Sequence, residues 1–353
     1  MIDPALRRPV TPVQNAPTEA AAAPSGAPLS VATPFLRDTL EAAKRSGPVN
    51  LSGLGKVLSA GLSALLGRGP SEASAVGPRL LHLDAGWTPQ GQGYDAKRQE
   101  VLTTYYDDSG VLLSVQDKNS GKETHQARLG GLGPEGPAPS HGGGVSTDGE
   151  FVYVSDTRNI FVYRREDIEN AEQQGAPVQA FQVMAVPNPD QLKDPATGID
   201  LVSAGSFMTV KDGFAYIGAY SKDGDGKVGA VWRYQLDEKT GALIEDSRQG
   251  PIRAPDRAQG MTVVDGALLF TTGDRKLVYQ PIHPGTDTFQ ADLADRREIS
   301  NGLIDPYAQG LNVIDGEVWV TYESGSHKYR DKLNPPFKPR EHIQRIPLDL
   351  LDL

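Results

Sequence analysis

Gln259-Gly260-Met261-Thr262-Val263-Val264-Asp265-Gly266 runs straight into Ala267-Leu268-Leu269-Phe270, and the pattern comes back as Gln309-Gly310-Leu311-Asn312-Val313-Ile314-Asp315-Gly316 before Glu317-Val318-Trp319-Val320. Asp-Gly between two β-rich runs is a hairpin turn, because glycine accepts positive φ and aspartate bonds its own backbone. Working toward the N-terminus, the unit recurs as Ser206-Phe207-Met208-Thr209-Val210-Lys211-Asp212-Gly213 before Phe214-Ala215-Tyr216-Ile217. It recurs again as Gly142 to Gly149 before Phe151-Val152-Tyr153-Val154. The earliest copy is Gly91-Gln92-Gly93-Tyr94-Asp95, which reaches Val101-Leu102-Thr103-Thr104 after a longer turn. Third apolar runs follow, such as Ile160-Phe161-Val162-Tyr163 and Ala230-Val231-Trp232-Arg233-Tyr234.

Five copies at intervals of roughly 50 residues, each reading strand, turn, strand, loop, strand, predict an all-β fold: a single five-bladed β-propeller. A sandwich would also use short strands, but it does not repeat one motif five times. One unit is longer, with its excess around Asn188–Val202. The last unit offers Ile343 to Leu348 as a third strand and then the chain ends, while Arg79-Leu80-Leu81-His82-Leu83 stands spare before the first unit. Pairing the spare strand with the last blade closes the ring and removes an open edge.

Residues 78–353 thus form the propeller, and residues 1–77 an arm. Residues 1–32 are rich in Ala, Pro, Ser and Thr and are expected to be disordered, since they cannot bury enough apolar surface to offset ordering entropy. Thr33 as cap, Pro34 at the first position and Gly47 as stop predict a helix over 34–46. A leucine-rich stripe from Leu51 to Leu66 predicts a second helix, expected to pack on the propeller's flank. Its polar face carries only Lys56 as a cation, which suits anionic lipid poorly.

With a net charge of −10 and no basic run, nucleic acid is not an expected partner. The absence of cysteine excludes disulfides, thiolate catalysis and Cys-ligated zinc. No stretch has the apolar length of a membrane span, and the N-terminus lacks a Sec-type apolar core. The expectation is a monomer, cytoplasmic or exported by a non-classical route. From Pro89-Gln90-Gly91 through Tyr322-Glu323-Ser324-Gly325-Ser326 to His342-Ile343-Gln344-Arg345-Ile346-Pro347-Leu348-Asp349, the chain resembles uncharacterised bacterial β-propeller proteins, many of them exported in actinobacteria. The resemblance covers about residues 78–353 and implies the fold; it carries no assigned catalytic residues. The missing export signal departs from those relatives.

Antiparallel pairing brings the starts of first strands and the ends of second strands to one mouth of the central channel. The starts supply Gln90, Gln92, His141, Ser206, Gln259 and Gln309; the ends supply Tyr105, Tyr106, Asp107, Asp108, Asp156, Tyr220, Asp223, Asp225, Asp274, Tyr322 and Glu323. Of these, Gln90, Gln92, Tyr105, His141, Ser206, Tyr220, Gln259, Asp274, Gln309 and Tyr322 are expected to contact ligand. Amides, hydroxyls and aromatic rings at one mouth suit a carbohydrate or a protein partner, bound without turnover. The repeated Gln-Gly also has a purely architectural reading, with the amides satisfying backbone groups around the channel.

The alternative function is a hydrolase of glycosides or lactones, with His141 and either Asp156 or Glu323 as acid and base. A third is a scaffold or exported protein directed by the arm. Asp223-Gly224-Asp225-Gly226-Lys227 resembles a calcium loop, but Lys227 occupies a ligand position and no closing Glu follows, so no cofactor is expected. Gly-x-Ser-x-Gly, His-Glu-x-x-His and Walker motifs are absent.

Overall fold

Each repeat folds as a small antiparallel sheet whose first three strands follow chain order. The computed structural model describes residues 74–171, 176–222, 226–284 and 289–353, all within the unit Gly55–Leu353. Both helices expected in the arm, and Asp223 and Asp225 of the calcium-like loop, lie outside the described residues.

Strand β1 (Ala75–Arg79) precedes blade one, which holds β2 (Thr88–Asp95), β3 (Glu100–Asp107), β4 (Gly110–Asp117) and β5 (Glu123–Leu132). Blade two holds β6 (Gly144–Thr147), β7 (Phe151–Asp156) and β8 (Asn159–Arg164). A short helix α1 (Arg165–Glu169) and β9 (Val178–Ala180), which pairs in parallel with β5, then lead to its fourth strand β10 (Gln182–Ala185). In blade three, β11 (Leu201–Val202) precedes β12 (Phe207–Lys211), β13 (Phe214–Gly218), β14 (Val228–Gln235) and β15 (Gln249–Arg253). The long insertion ends in β11, which adds in parallel to β14. Blade four holds β16 (Ala258–Val264), β17 (Ala267–Thr272), β18 (Leu277–Pro284), β19 (Phe289–Ala291) and β20 (Arg297–Glu298). Blade five holds β21 (Ala308–Ile314), β22 (Glu317–Tyr322) and β23 (His342–Pro347).

The ring closes as a strand from before the first repeat joins the last blade. That strand is β1, however, with Ala75 opposite Arg345 and Arg79 opposite His342. The expected Arg79–Leu83 leaves the sheet after its first residue. Leu80 and Leu83 instead turn inward and pack with Val101, Ile314, Trp319 and Ile343 in the seam between blades five and one. An outermost edge strand leaves one face in water, so leucines gain more in the seam. The exposed β1, with Pro78 in it, also makes a poor template for further pairing.

Inner strands β2, β6, β12, β16 and β21 each touch the next, so they line the channel. A Cβ placed on Gly91 would sit 2.6 Å from the Val145 amide nitrogen, and one on Gly310 would sit 2.3 Å from that of Gln92. This close approach is the physical reason for glycine at the second position of the repeat. Gly144 faces Ser155 and Gly260 faces Thr271 across the first hairpin; Gly91 and Gly310 lie in bulges opposite Thr104 and Thr321. In blade three the bulk is exchanged: Phe207 faces Gly218, and a Cβ on Gly218 would meet the Phe207 ring at 2.0 Å.

Asp212-Gly213, Asp265-Gly266 and Asp315-Gly316 are two-residue turns with positive φ at both positions, the geometry of type I′. Asp148-Gly149 differs. Thr147 pairs with Val152, so the loop is longer, and Asp148 Oδ1 accepts from the amides of Glu150 (3.0 Å) and Phe151 (2.8 Å).

Five apolar clusters fill the seams between blades. Alternation along the middle strands feeds both neighbours: Leu268 and Phe270 face blade three, while Leu269 faces blade five. Both faces of a middle strand are therefore buried, which is why these runs read as continuously hydrophobic. No helix among the described residues is long and apolar enough to cross a membrane.

Candidate functional site

Thr104, Ser155, Gly218, Thr271 and Thr321 mark one level on the second strands, where they face the inner-strand glycines or Phe207. One residue further, Tyr105 and Tyr322 turn into apolar packing within and between the blades. Two residues further come Tyr106, Thr157, Tyr220, Gly273 and Glu323. Three of that last set, Tyr220, Gly273 and Glu323, line a cleft of ≈ 460 Å³ at this end of the channel.

Glu323 lies at the floor, only 6% exposed. Gln90 donates its amide to Oε1 and Gln309 donates to Oε2 at 3.0 Å. Two amides from the repeated Gln-Gly positions of blades one and five thus grip one carboxyl. Burial pushes the acid up to about 7, against the opposing pull of Gln90, the Lys328 ammonium, Gln309 and the Tyr329 hydroxyl. The backbone amide of Glu323 donates to the Tyr307 carbonyl at 3.0 Å, and Ser326 Oγ donates to the Glu323 carbonyl at 2.7 Å, which fixes the chain as it leaves β22.

That departing chain, the loop from Glu323 to Glu341, supplies one wall. Tyr329, Lys332, Asn334 and Phe337 face Tyr220, Tyr307 and Gln259 across the cleft. Tyr307 and Tyr329 have ring centroids 5.2 Å apart, and the Arg275 guanidinium sits 4.3 Å from the centre of the Phe337 ring. Beside the cleft, Lys328 Nζ donates to Tyr106 Oη at 2.8 Å, and the Tyr106 ring lies 4.2 Å from that of His141. Burial lowers the His141 basicity and pushes the Tyr106 hydroxyl up, making it a weaker acid.

The expected residues divide accordingly. Gln90, Gln309 and Glu323 form the floor, and Gln259 and Tyr220 line the walls. His141 stands next to this group through Tyr106 and Lys328. Ser206 is half-buried at its strand start, where its amide donates to the Gly218 carbonyl at 2.9 Å. Gln92 ties blade one to blade five, donating to the Trp319 carbonyl (3.2 Å) and accepting from Thr321 Oγ1 (2.7 Å).

Tyr105 and Tyr322 occupy the wrong parity for the mouth. Tyr105 packs with Trp87 and Leu112, and Tyr322 is buried in the seam of blades four and five, donating to Gln344. Asp156 accepts from the amides of Ser140 (2.9 Å), His141 (2.9 Å) and Gly142 (3.3 Å), so both of its oxygens hold a loop. Asp274 is exposed and pairs with Lys276 at 2.8 Å, and Asp107 accepts from the Ser109 amide at 2.7 Å. Among the described residues no group of three or more His, Asp or Glu could hold a metal ion.

The site residues that sequence reasoning did not name are Arg257, Tyr307, Lys328, Tyr329, Lys332, Asn334 and Phe337. Most come from the loop before β23, which has no counterpart in the other repeats.

No protein-family model and no curated protein matches the chain. Among solved structures, the chain is similar to Myxococcus xanthus glutaminyl cyclase, with TM-score 0.39 and 11% identity over 77% of this chain and 95% of that one. It is also similar to the RRP9 WD40 repeats (TM-score 0.39, 10% identity, 79% and 98% covered). A luciferin-regenerating enzyme gives TM-score 0.36 and 12% identity, with 78% and 95% covered. Likenesses of this extent bear on neither ligand nor activity.

Proposed function

We propose that the chain is a binding protein that takes a carbohydrate in the cleft above Glu323 and does not turn it over. The observation that carries this reading is the lining: Tyr220, Tyr307, Tyr329 and Phe337 beside the amides of Gln259, Gln309 and Asn334. A pyranose has an apolar CH face and a hydroxyl edge, which such a mixture of rings and amides can meet together.

Against hydrolysis of a glycoside by paired carboxyls stands the composition of the cleft. Glu323 is the one carboxylate lining it among the described residues, and both its oxygens are held by amides. The two-carboxyl mechanism needs a partner within roughly 5–10 Å across the scissile bond. One observation favours the second reading, a hydrolase: a carboxyl raised to about 7 is suited to donate a proton near neutrality.

Calorimetric titration with a panel of oligosaccharides separates the two. The expected result is saccharide binding that weakens roughly tenfold or more in Tyr220→Ala and Tyr307→Ala, with the sugar recovered intact. No saccharide bound at millimolar concentration would overturn the proposal. Turnover lost in Glu323→Gln would replace it with the hydrolase.

A further inference from the structure

We infer that the sugar taken by this cleft is anionic, carrying a carboxylate or a sulfate; this rests on the carbohydrate reading above. The protein as a whole has net charge −10, yet the loop over the mouth, Glu323 to Glu341, inverts that sign. It holds five cations (Lys328, Arg330, Lys332, Lys338 and Arg340) against Glu323, Asp331 and Glu341. Two of the cations are neutralised: Arg330 pairs with Glu341 at 3.0 Å, and Arg340 with Asp305 at 2.5 Å.

The lysines nearest the cleft have no carboxylate within ion-pair distance among the described residues. Lys332 lines the cleft with its ammonium 4.6 Å from the centre of the Tyr329 ring, and Lys328 bonds the neutral Tyr106 hydroxyl. The single acid of the lining, Glu323, is buried beneath them and shielded by two amides, and its burial favours the uncharged form near neutrality. A cationic cleft in an acidic protein favours an anion there and repels it elsewhere, which gives both attraction and orientation.

An acidic peptide would meet the charge but would leave unused the four aromatic rings and the amides, which suit a flat ring with a hydroxyl edge. The anionic sugar uses both.

The test takes the full chain and two matched pairs of probes. One pair is tri-galacturonic acid and its methyl ester; the other is a sulfated trisaccharide and its desulfated form. The expected result is that at least one anionic member binds roughly tenfold tighter than its neutral partner at low salt. That preference is expected to shrink severalfold in Lys332→Gln and in half-molar salt, while Tyr220→Ala weakens both members of a pair alike. Equal binding of charged and neutral forms would overturn the charge inference and leave the carbohydrate reading standing. Failure of all four sugars, with tetraglutamate bound instead, would assign the cleft to an acidic peptide and overturn both.

Discussion

Glu323 concentrates the physics of this site, because one carboxyl is both desolvated and held by two donated amide hydrogens. Desolvation wins, lifting the acid from 4.5 to about 7. A raised acid destabilises the fold as pH rises. Below pH 4.5 folded and unfolded chains are both protonated, so nothing is lost. Between 4.5 and 7 the unfolded chain ionises first, and stability falls across that window by up to about 3 kcal/mol. His141 acts with the opposite slope, because its lowered basicity loses stability as pH falls. The difference between wild type and Glu323→Gln therefore isolates the acid. Urea unfolding at pH 5 and pH 8 is expected to show the gap shifting toward the variant by about 2–3 kcal/mol. A gap that stays constant would mean that Glu323 ionises as freely as in the unfolded chain. The grip on this carboxyl was half legible in sequence: the repeat singles out Gln90 and Gln309, and antiparallel pairing brings Glu323 to their end. What sequence could not settle was parity. Tyr105 and Tyr322 each adjoin a mouth-facing residue, and one step along a strand turns a side chain to the other face. The bulges at Gln90-Gly91 and Gln309-Gly310 shift that count by one without leaving any mark in composition.

At the scale of the element, the first hairpins carry the fold's signal, since their turns and their glycines are both demanded by geometry. Asp-Gly marked all four as hairpin turns; three are two-residue turns of type I′, and the fourth is a longer loop that Asp148 caps. The walls of the site were illegible for the opposite reason. Tyr329, Lys332 and Phe337 lie in an irregular loop whose course is set by bonds such as that of Arg340 to Asp305, and periodicity does not encode those. Blade three shows how strictly the hairpin is specified: it keeps the total bulk and swaps the sides, with Phe207 where other blades have glycine and Gly218 where they have Thr or Ser. Gly218→Thr alone forces a side chain into the Phe207 ring and is expected to cost about 2–4 kcal/mol. Phe207→Gly alone empties a packed position, where the ring meets Phe270 at 6.1 Å, and is expected to cost about 3–5 kcal/mol. The double variant restores the pattern of the other blades. Its measured loss is expected to fall short of the sum of the singles by at least about 1 kcal/mol. Additive losses would show that the two positions do not share one space.

For the whole molecule, five blades become one folding unit only if the last is tied to the first. Three devices cross that junction. Gln92 bonds to Trp319 and Thr321, Leu80 and Leu83 fill the seam with Trp319 and Ile343, and β1 covers the edge of β23. Only β1 removes an exposed edge, and Gln344 reinforces it by donating to Ser74 Oγ at 2.9 Å. The closing strand was legible as a topological need, since a ring with one unpaired edge is open to pairing with other chains. Its position was not, because Leu80, Leu81 and Leu83 look more strand-like than Ala75 to Arg79. Two truncated chains separate these devices: one begins at Ser74 and keeps β1, the other begins at Leu80 and keeps the leucine seam alone. The first is expected to melt in one cooperative step, because it retains every described strand. The second loses a five-residue strand and exposes β23. A loss of about 2–3 kcal/mol corresponds to a fall of about 3–5 °C in Tm for a domain of this size. The bare edge is expected to add concentration-dependent association, visible by light scattering. Equal melting of both chains, with no association, would place closure in the seam and leave β1 as a cover with no share in stability.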